Sequence, residues 1–266
     1  EINSISGFVG NFDIATDNGS LKAGTIVVAT GADIYKPVDE YGYGTFANVI
    51  TNMELENILH STRGKLEIRG QVPKTVVFIQ CVGSREDGNM YCSKVCCTHS
   101  VQSAIALKEE NPERQIYILY RDMRTYAERE AIYRRARRLG IIFINYELHG
   151  KPKVSESGKV INVEVWDHVL HRPLKIETDL VILATAIRPR PDAAELAKLY
   201  KVPVDGDGFF LEAHAKLRPV DFSTDGMFVA GLAHYIKNIL IGLKGGSYVV
   251  DVALDKNNIG KLKNGW

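Results

Sequence analysis

The sequence predicts an α/β protein with two dinucleotide-binding, Rossmann-like domains, the second inserted into the first. Three observations carry this. Residues 75–145 alternate short apolar runs with helical patterns in the order strand–helix–strand–helix–strand, the signature of a parallel sheet wound with helices. Apolar runs such as Thr25-Ile-Val-Val-Ala and Leu180-Val-Ile-Leu-Ala have the length of buried strands. One phrase occurs twice, about 155 residues apart, as Ile26-Val-Val-Ala-Thr30-Gly31-Ala32 and Val181-Ile-Leu-Ala184-Thr185-Ala186. Each copy is a strand ending in Ala-Thr and a small residue, and each follows a hairpin-like segment. The repeat divides the 266 residues into an outer domain, 1–73 with 188–266, and an inserted domain, 74–187.

The elements follow in order. Asp17-Asn18-Gly19 is a turn signal between two short strands, predicting a hairpin that leads into the buried strand at Thr25. A helix near Asn52–His60 interrupts an otherwise irregular connection to Pro73. Thr75-Val-Val-Phe-Ile-Gln is a continuous apolar strand ending at Cys81. Ser100 to Glu110 has helical spacing and is stopped by Asn111-Pro112. Ile116-Tyr-Ile-Leu-Tyr is a second strand. Thr125 with Glu128 three residues on has the form of a capping box, predicting a helix over 125–139 that Gly140 ends. Ile141-Ile-Phe-Ile-Asn is a third strand, and Val160–Val165 with Leu174–Ile176 predicts an antiparallel pair before the strand at Leu180. The chain opens on Glu1, and its first residues already read as strand, which predicts a piece of a longer polypeptide, with the outer domain truncated at its N-terminus.

Composition narrows the class. The chain is 45% hydrophobic and 24% charged with net charge +1, a balance that offers no global attraction to nucleic acid or a membrane surface. No run approaches the roughly 18 apolar residues of a transmembrane segment.

All four cysteines fall in one stretch, Cys81-Val-Gly-Ser-Arg-Glu-Asp-Gly-Asn-Met-Tyr-Cys92-Ser-Lys-Val-Cys96-Cys97. Thiols gathered this closely can supply four ligands to one metal centre. A structural zinc site is normally built from two short C-x2-4-C arms, which the adjacent Cys96-Cys97 pair fits poorly. A C-x-x-C redox pair is absent. Iron–sulfur clusters accept less regular spacings, because each iron corner needs only one thiolate. A cluster fits the spacing best; zinc and redox thiols remain open on spacing alone.

The strand ends carry a second chemistry. Ala29-Thr30-Gly31-Ala32 places small residues where backbone approaches backbone or a cofactor. Thr224-Asp-Gly-Met-Phe-Val-Ala-Gly231-Leu232-Ala233 resembles the late strand and turn through which FAD-binding proteins meet the ribityl chain and pyrophosphate. The familiar form ends Gly-Asp, whereas Leu232 follows Gly231 here. Together these resemble flavoproteins of the thioredoxin reductase type, whose discontinuous FAD domain hosts a second dinucleotide domain. That second domain normally opens G-x-G-x-x-G after its first strand. Here the position reads Ile79-Gln-Cys81-Val-Gly83-Ser-Arg-Glu, with Cys81 where a phosphate-loop glycine would be.

Cys81-Val-Gly-Ser-Arg, Tyr91-Cys-Ser-Lys-Val-Cys-Cys, Tyr120-Arg-Asp-Met-Arg-Thr-Tyr, His214-Ala-Lys-Leu-Arg-Pro-Val-Asp and Gly231-Leu-Ala-His234 are similar to the A-type subunits of the heterodisulfide reductase family. The resemblance implies FAD and a [4Fe–4S] cluster with Cys81, Cys92, Cys96 and Cys97 as ligands, and Thr30, Gly31, Ala32, Gly231, Leu232 and Ala233 as flavin contacts. The FAD fingerprint of that family lies upstream of these residues, so the flavin site is expected to be incomplete. The resemblance also implies an electron-transfer role beside other iron–sulfur subunits, in an anaerobic cytoplasm. Two other readings stand beside it: an NAD(P)H-dependent flavin disulfide reductase with a structural zinc, and a non-catalytic docking scaffold. His234 and Lys237 are candidates for the flavin edge by the same resemblance. His99 reads as a surface histidine with a role behind the cysteines as its alternative, Arg121 as a solvated loop charge with contact to a 2′-phosphate as its alternative, and Arg134-Arg135-Ala-Arg137-Arg138 as a solvated helix face with docking of an acidic electron-transfer partner as its alternative.

Overall fold

A computed structural model describes residues 1–158 and 160–234. They divide into two compact units, Glu1–Asp33 with the described residues from Ile187 on, and Ile34–Ala186. Residues 34–73, grouped by the sequence reading with the outer domain, pack in the inserted unit. The reason is a short parallel strand, β5 (Val49–Thr51), and a core contribution from Leu55, Leu66 and Ile68.

In the outer unit, β1 (Ile2–Phe8), β2 (Asn11–Thr16) and β3 (Gly19–Ala23) form an antiparallel sheet, with Asp17-Asn18 at the turn between the last two. β4 (Ile26–Val28) then runs parallel to β13 (Met227–Val229). Phe12, Ile26, Val28, Phe222 and Val229 bury against a helix, α4 (Ala193–Tyr200), which the sequence reading did not anticipate.

The inserted unit is organised by a five-stranded parallel sheet in the order β5-β12-β6-β7-β8. Its members beyond β5 are β6 (Thr75–Val82), β7 (Gln115–Tyr120), β8 (Ile142–Asn145) and β12 (Leu180–Thr185). Every residue of β12 is buried, as a parallel strand covered on both faces requires. One face carries α1 (Asn52–Ser61), α2 (Cys96–Glu110) and α3 (Glu130–Arg138), packed through Leu55, Val101 and Ala136 onto Val76 and Phe78. The other carries an antiparallel sheet, β9 (Lys153–Ser157), β10 (Val160–Asp167) and β11 (Arg172–Thr178), packed through Ile161 and Val163 onto Val77 and Ile79. The duplicated phrase thus has a structural counterpart. Both β4 and β12 follow a three-stranded antiparallel sheet.

Two local details differ from the sequence reading. The capping box forms at α1, where Thr51 Oγ1 accepts from the Glu54 N–H at 3.3 Å and the Glu54 carboxylate accepts from the Thr51 N–H at 2.6 Å. It does not form at Thr125. Ala127 takes φ +58°, a left-handed conformation that breaks the helical path, so α3 begins at Glu130 after a 3-10 turn.

The exit of β6 is the feature that positions the site. β6 pairs with β12 through Ile79–Leu183, and the next pair is Val82–Thr185, so β6 holds one extra residue there. That is a β-bulge, and its left-handed residue is Cys81, at φ +63°. Gly83 follows at φ +70°, and a Cβ on it would lie 2.2 Å from the Tyr35 ring. At the opposite end of the strand, Arg114 is wholly buried. Its Nε donates to the Pro73 carbonyl at 2.9 Å and its Nη1 to the Leu107 carbonyl and the Glu110 carboxylate, tying the end of α2 to the entry of β6.

Both ends of β6 yield stability predictions. Gly83→Ala meets backbone strain and the Tyr35 ring together and should cost about 2–4 kcal/mol in urea unfolding. Gly88→Ala, at φ +79° with open space around it, meets only the strain and should cost about 1 kcal/mol. Equal costs for the two would contradict the packing role of Gly83. Arg114→Met, which strands the Pro73 carbonyl and breaks the pair with Glu110, should cost about 3 kcal/mol, against under about 1 kcal/mol for Glu110→Gln.

Candidate metal centre

The cysteines come from three kinds of local structure in the inserted unit. Cys81 is the bulge residue of β6, Cys92 lies in the loop that follows, and Cys96 and Cys97 open α2. The loop is closed by its own polar groups. Asn89 Nδ2 donates to the Gly83 carbonyl at 2.6 Å, and Ser84 Oγ donates to the Tyr91 carbonyl at 2.8 Å. Arg121 reaches back from the end of β7, donating through Nη1 to the Arg85 carbonyl at 2.7 Å and through Nη2 to the Ser84 carbonyl. Read from sequence as a solvated charge, Arg121 is a half-buried clasp on the cysteine loop.

This closure bears on nucleotide binding. In a phosphate loop the backbone N–H groups after the first strand point at the pyrophosphate. Here the N–H of Ser84 donates to Cys81, that of Arg85 to Tyr91 and that of Glu86 to Asn89. Those donors are already engaged.

All four cysteines are free thiols. Cys96 Sγ lies 3.6 Å from the Thr185 carbonyl, at the end of the second copy of the duplicated phrase, and Cys97 Sγ lies 3.6 Å from the Asp122 carbonyl. The Lys94 N–H donates to Cys92 Sγ at 3.3 Å. Burial pushes the Cys96 thiol well above its ordinary value, and the sulfurs of Cys97, Cys81 and Cys92 push it further. Burial also raises Cys97, to about 11, against the opposing pull of the Arg124 backbone N–H. A helix N-terminus alone would lower a thiol pKa; here desolvation and mutual repulsion outweigh it. The Cys96 and Cys97 thiols therefore stay protonated until a cation is present to ionise them. An attacking redox thiol needs the opposite setting.

The fit to an inorganic group shows in the surrounding polar atoms. Gln80 is wholly buried, and neither its Nε2 nor its Oε1 has a partner. Arg85 Nη1, Thr98 Oγ1, Arg121 Nε and Thr125 Oγ1 are likewise buried without one. Gln80 adjoins Cys81, Thr98 adjoins Cys97, and Arg121 and Thr125 flank the 122–124 backbone that Cys97 touches. Arg85 has Cys81 and Asp122 as its charge partners. Buried donors lacking acceptors on residues next to the cysteines in the chain, with Arg85 tied to Cys81 by charge, suit an acceptor-rich group such as inorganic sulfide. Among the described residues, no three His, Cys, Asp or Glu side chains are placed to hold a single metal ion. Tetrahedral zinc would need its sulfurs about 3.8 Å apart, given Zn–S bonds near 2.3 Å. A cubane, with one thiolate per iron corner, spaces them more widely. Four thiols, one for each iron corner, are the donor number that a cubane takes.

The remaining candidates separate clearly. His99 Nε2 pairs with Glu56 at 3.0 Å and its Nδ1 meets Asn52, so it bridges α2 to α1. In the basic helix, Arg134 and Arg138 are exposed, while Arg135 pairs with Glu109 and Arg137 sits 5.8 Å from the centre of the Tyr133 ring. In the outer unit, the Ala230 N–H donates to the Val28 carbonyl at 3.0 Å, which brings Thr30-Gly31-Ala32 and Gly231-Leu232-Ala233 to the same end of the parallel pair. His234 is buried and paired with Glu212. Lys237 lies outside the described residues. Sequence reasoning missed the bulge, Gln80 and the Arg121 clasp; the run Gln80-Cys81-Val82-Gly83, polar residues inside an apolar strand, was the available signal.

No family model matches the chain. It is 40% identical over 242 residues to the iron–sulfur A-type subunit of the CoB–CoM heterodisulfide reductase of Methanocaldococcus jannaschii, covering 86% of this chain and 36% of that protein. It is 39% identical over 235 residues to the A-type subunit of the H2/formate:CoB–CoM heterodisulfide,ferredoxin reductase of Methanococcus maripaludis, covering 83% and 35%. The chain thus spans about a third of the length of these relatives. Among solved structures, the thioredoxin reductases of T. acidophilum and Lactococcus lactis superpose with TM-scores of 0.57 and 0.59 at 17% identity, covering 98% and 97% of this chain and 73% and 74% of theirs. By sequence the chain falls among the A-type subunits of the heterodisulfide reductase family, over about a third of those relatives' length, and its fold is that of the thioredoxin reductases.

Proposed function

We propose that this chain is the electron-transfer segment of a heterodisulfide-reductase-like oxidoreductase, passing electrons between FAD and a [4Fe–4S] cluster in a complex with other iron–sulfur subunits. The observation that carries the reading is a set of four thiols close enough for Cys97, Cys81 and Cys92 to act on Cys96, on a stretch whose neighbouring residues hold buried donors that lack acceptors. The names of the relatives, one an iron–sulfur component and the other part of a ferredoxin-linked reductase, point the same way. When bound, the cluster supplies a one-electron redox centre, complementing a flavin that exchanges electrons singly or in pairs.

The roles of the chain's own residues follow from their placement. Cys81, Cys92, Cys96 and Cys97 would ligate the metal. The bulge aims Cys81, and the first turn of α2, which has no side-chain cap, brings Cys96 and Cys97 with the positive end of the helix. Cys97 is buried and the other three are partly buried, which limits the access of water to the sulfurs. Thr30, Gly31, Ala32, Gly231, Leu232 and Ala233 would hold FAD through backbone N–H groups at the ends of the parallel pair. No helix among the described residues is long and apolar enough to cross a membrane.

Anaerobic reconstitution with iron and sulfide tests the reading. About four iron and four sulfide per chain, with an EPR signal on reduction, are expected. Cys96→Ser should cut iron uptake by more than half with the far-UV spectrum unchanged. Stoichiometric zinc in a colourless protein that refuses iron would favour the zinc-stapled reductase instead. Because the loop N–H groups after β6 are engaged, a fluorescence titration with NADPH should show no saturable binding; saturation would count against the closed loop.

A further inference from the structure

Within the reading just proposed, one residue stands apart. Arg85 adopts a left-handed backbone, φ +59°, and is fixed there at both peptide groups: its N–H donates to the Tyr91 carbonyl at 3.2 Å and its carbonyl accepts from Arg121. Its side chain is only 21% exposed. Nη2 is engaged by the Asp122 carboxylate, while Nη1 is buried with no aligned acceptor, the Cys81 side chain being near enough to raise the guanidinium by charge and hydrogen bonding. The cation lies within electrostatic reach of Cys81. Asp122 in turn supplies the carbonyl that Cys97 touches, and its carboxylate is 55% exposed. One ion pair therefore spans the centre, with the cation toward Cys81 and the anion toward solvent. A simple solvated salt bridge needs no backbone strain and no buried orphan nitrogen.

We propose that Arg85 is a redox-positioning residue: its unpartnered Nη1 donates to the sulfur-rich centre at Cys81, and its fixed positive charge raises the reduction potential there. A bound centre gains one negative charge on reduction, so a nearby cation favours the reduced state and a nearby anion opposes it. The Asp122 carboxylate offsets part of this, and its exposure makes that offset weaker than the cation's effect. The two residues then set the potential in opposite directions, from a scaffold that Arg121 clasps.

The test rests on the cluster reading and separates from it. Wild-type chain, Arg85→Gln, Arg85→Lys and Asp122→Asn are reconstituted anaerobically, assayed for iron and sulfide, and titrated potentiometrically with EPR detection. Arg85→Gln should lower the potential, by about a tenfold change in the reduced-to-oxidised ratio at fixed potential, or about 59 mV for a one-electron couple. Arg85→Lys should recover most of that shift. Asp122→Asn should move the potential up. Unchanged potentials in Arg85→Gln and Asp122→Asn at full iron content would overturn the proposal and leave the cluster reading intact. Shifts of the same sign in both would mark a merely structural role and overturn it too. If wild-type chain takes up no iron, the cluster reading fails first and the proposal falls with it.

Discussion

A parallel strand buried on both faces has to release its chain somewhere, and in the inserted unit that release happens at a single residue. β6 is enclosed by helices on one side and by an antiparallel sheet on the other, so its backbone cannot fray toward solvent. The bulge at Cys81 ends the alternation abruptly and turns the chain by a left-handed step that most residues resist. Everything around the candidate centre depends on that step. It carries the first cysteine, starts the loop that holds the second, and returns the chain to α2, whose first turn holds the last two. Gly83 exists as glycine because the Tyr35 ring occupies the space beside it.

The same constraint explains why the fold keeps its layers while the loop after β6 holds its N–H groups in internal hydrogen bonds. A phosphate loop needs backbone N–H groups left free at the end of the first strand. The residues after Cys81 turn those groups inward, onto Cys81, Tyr91 and Asn89. In their place the chain offers thiols and buried side-chain donors, which suit a soft, anionic inorganic group and not a pyrophosphate.

The sequence was legible where the physics is local or periodic. Apolar runs disclosed the central strands, and the spacing of Val101, Ala104 and Ile105 disclosed α2. The repeated Ala-Thr strand ends disclosed a duplicated plan that the two antiparallel sheets confirm in form. It was illegible where a residue's meaning depends on distant partners. Thr125 and Glu128 look like a cap, yet the left-handed Ala127 denies them one, while the box at Thr51 and Glu54 went unremarked. Arg121 is a clasp because Ser84 and Arg85, 37 and 36 positions earlier, present their carbonyls to it. The short strand β5 has only three residues and becomes visible through its pairing with β12. That pairing is why residues 34–73 belong with the inserted unit.

The clasped loop also bears on how the protein folds. Its contacts, Asn89 to Gly83, Ser84 to Tyr91 and Arg121 to two carbonyls, are made by an amide, a hydroxyl and a guanidinium of the chain itself. The entropy of ordering the segment that carries Cys92 is therefore met when the domain folds. Arg121, which follows a strand that is laid down later in the chain, makes that order conditional on the whole parallel sheet having formed.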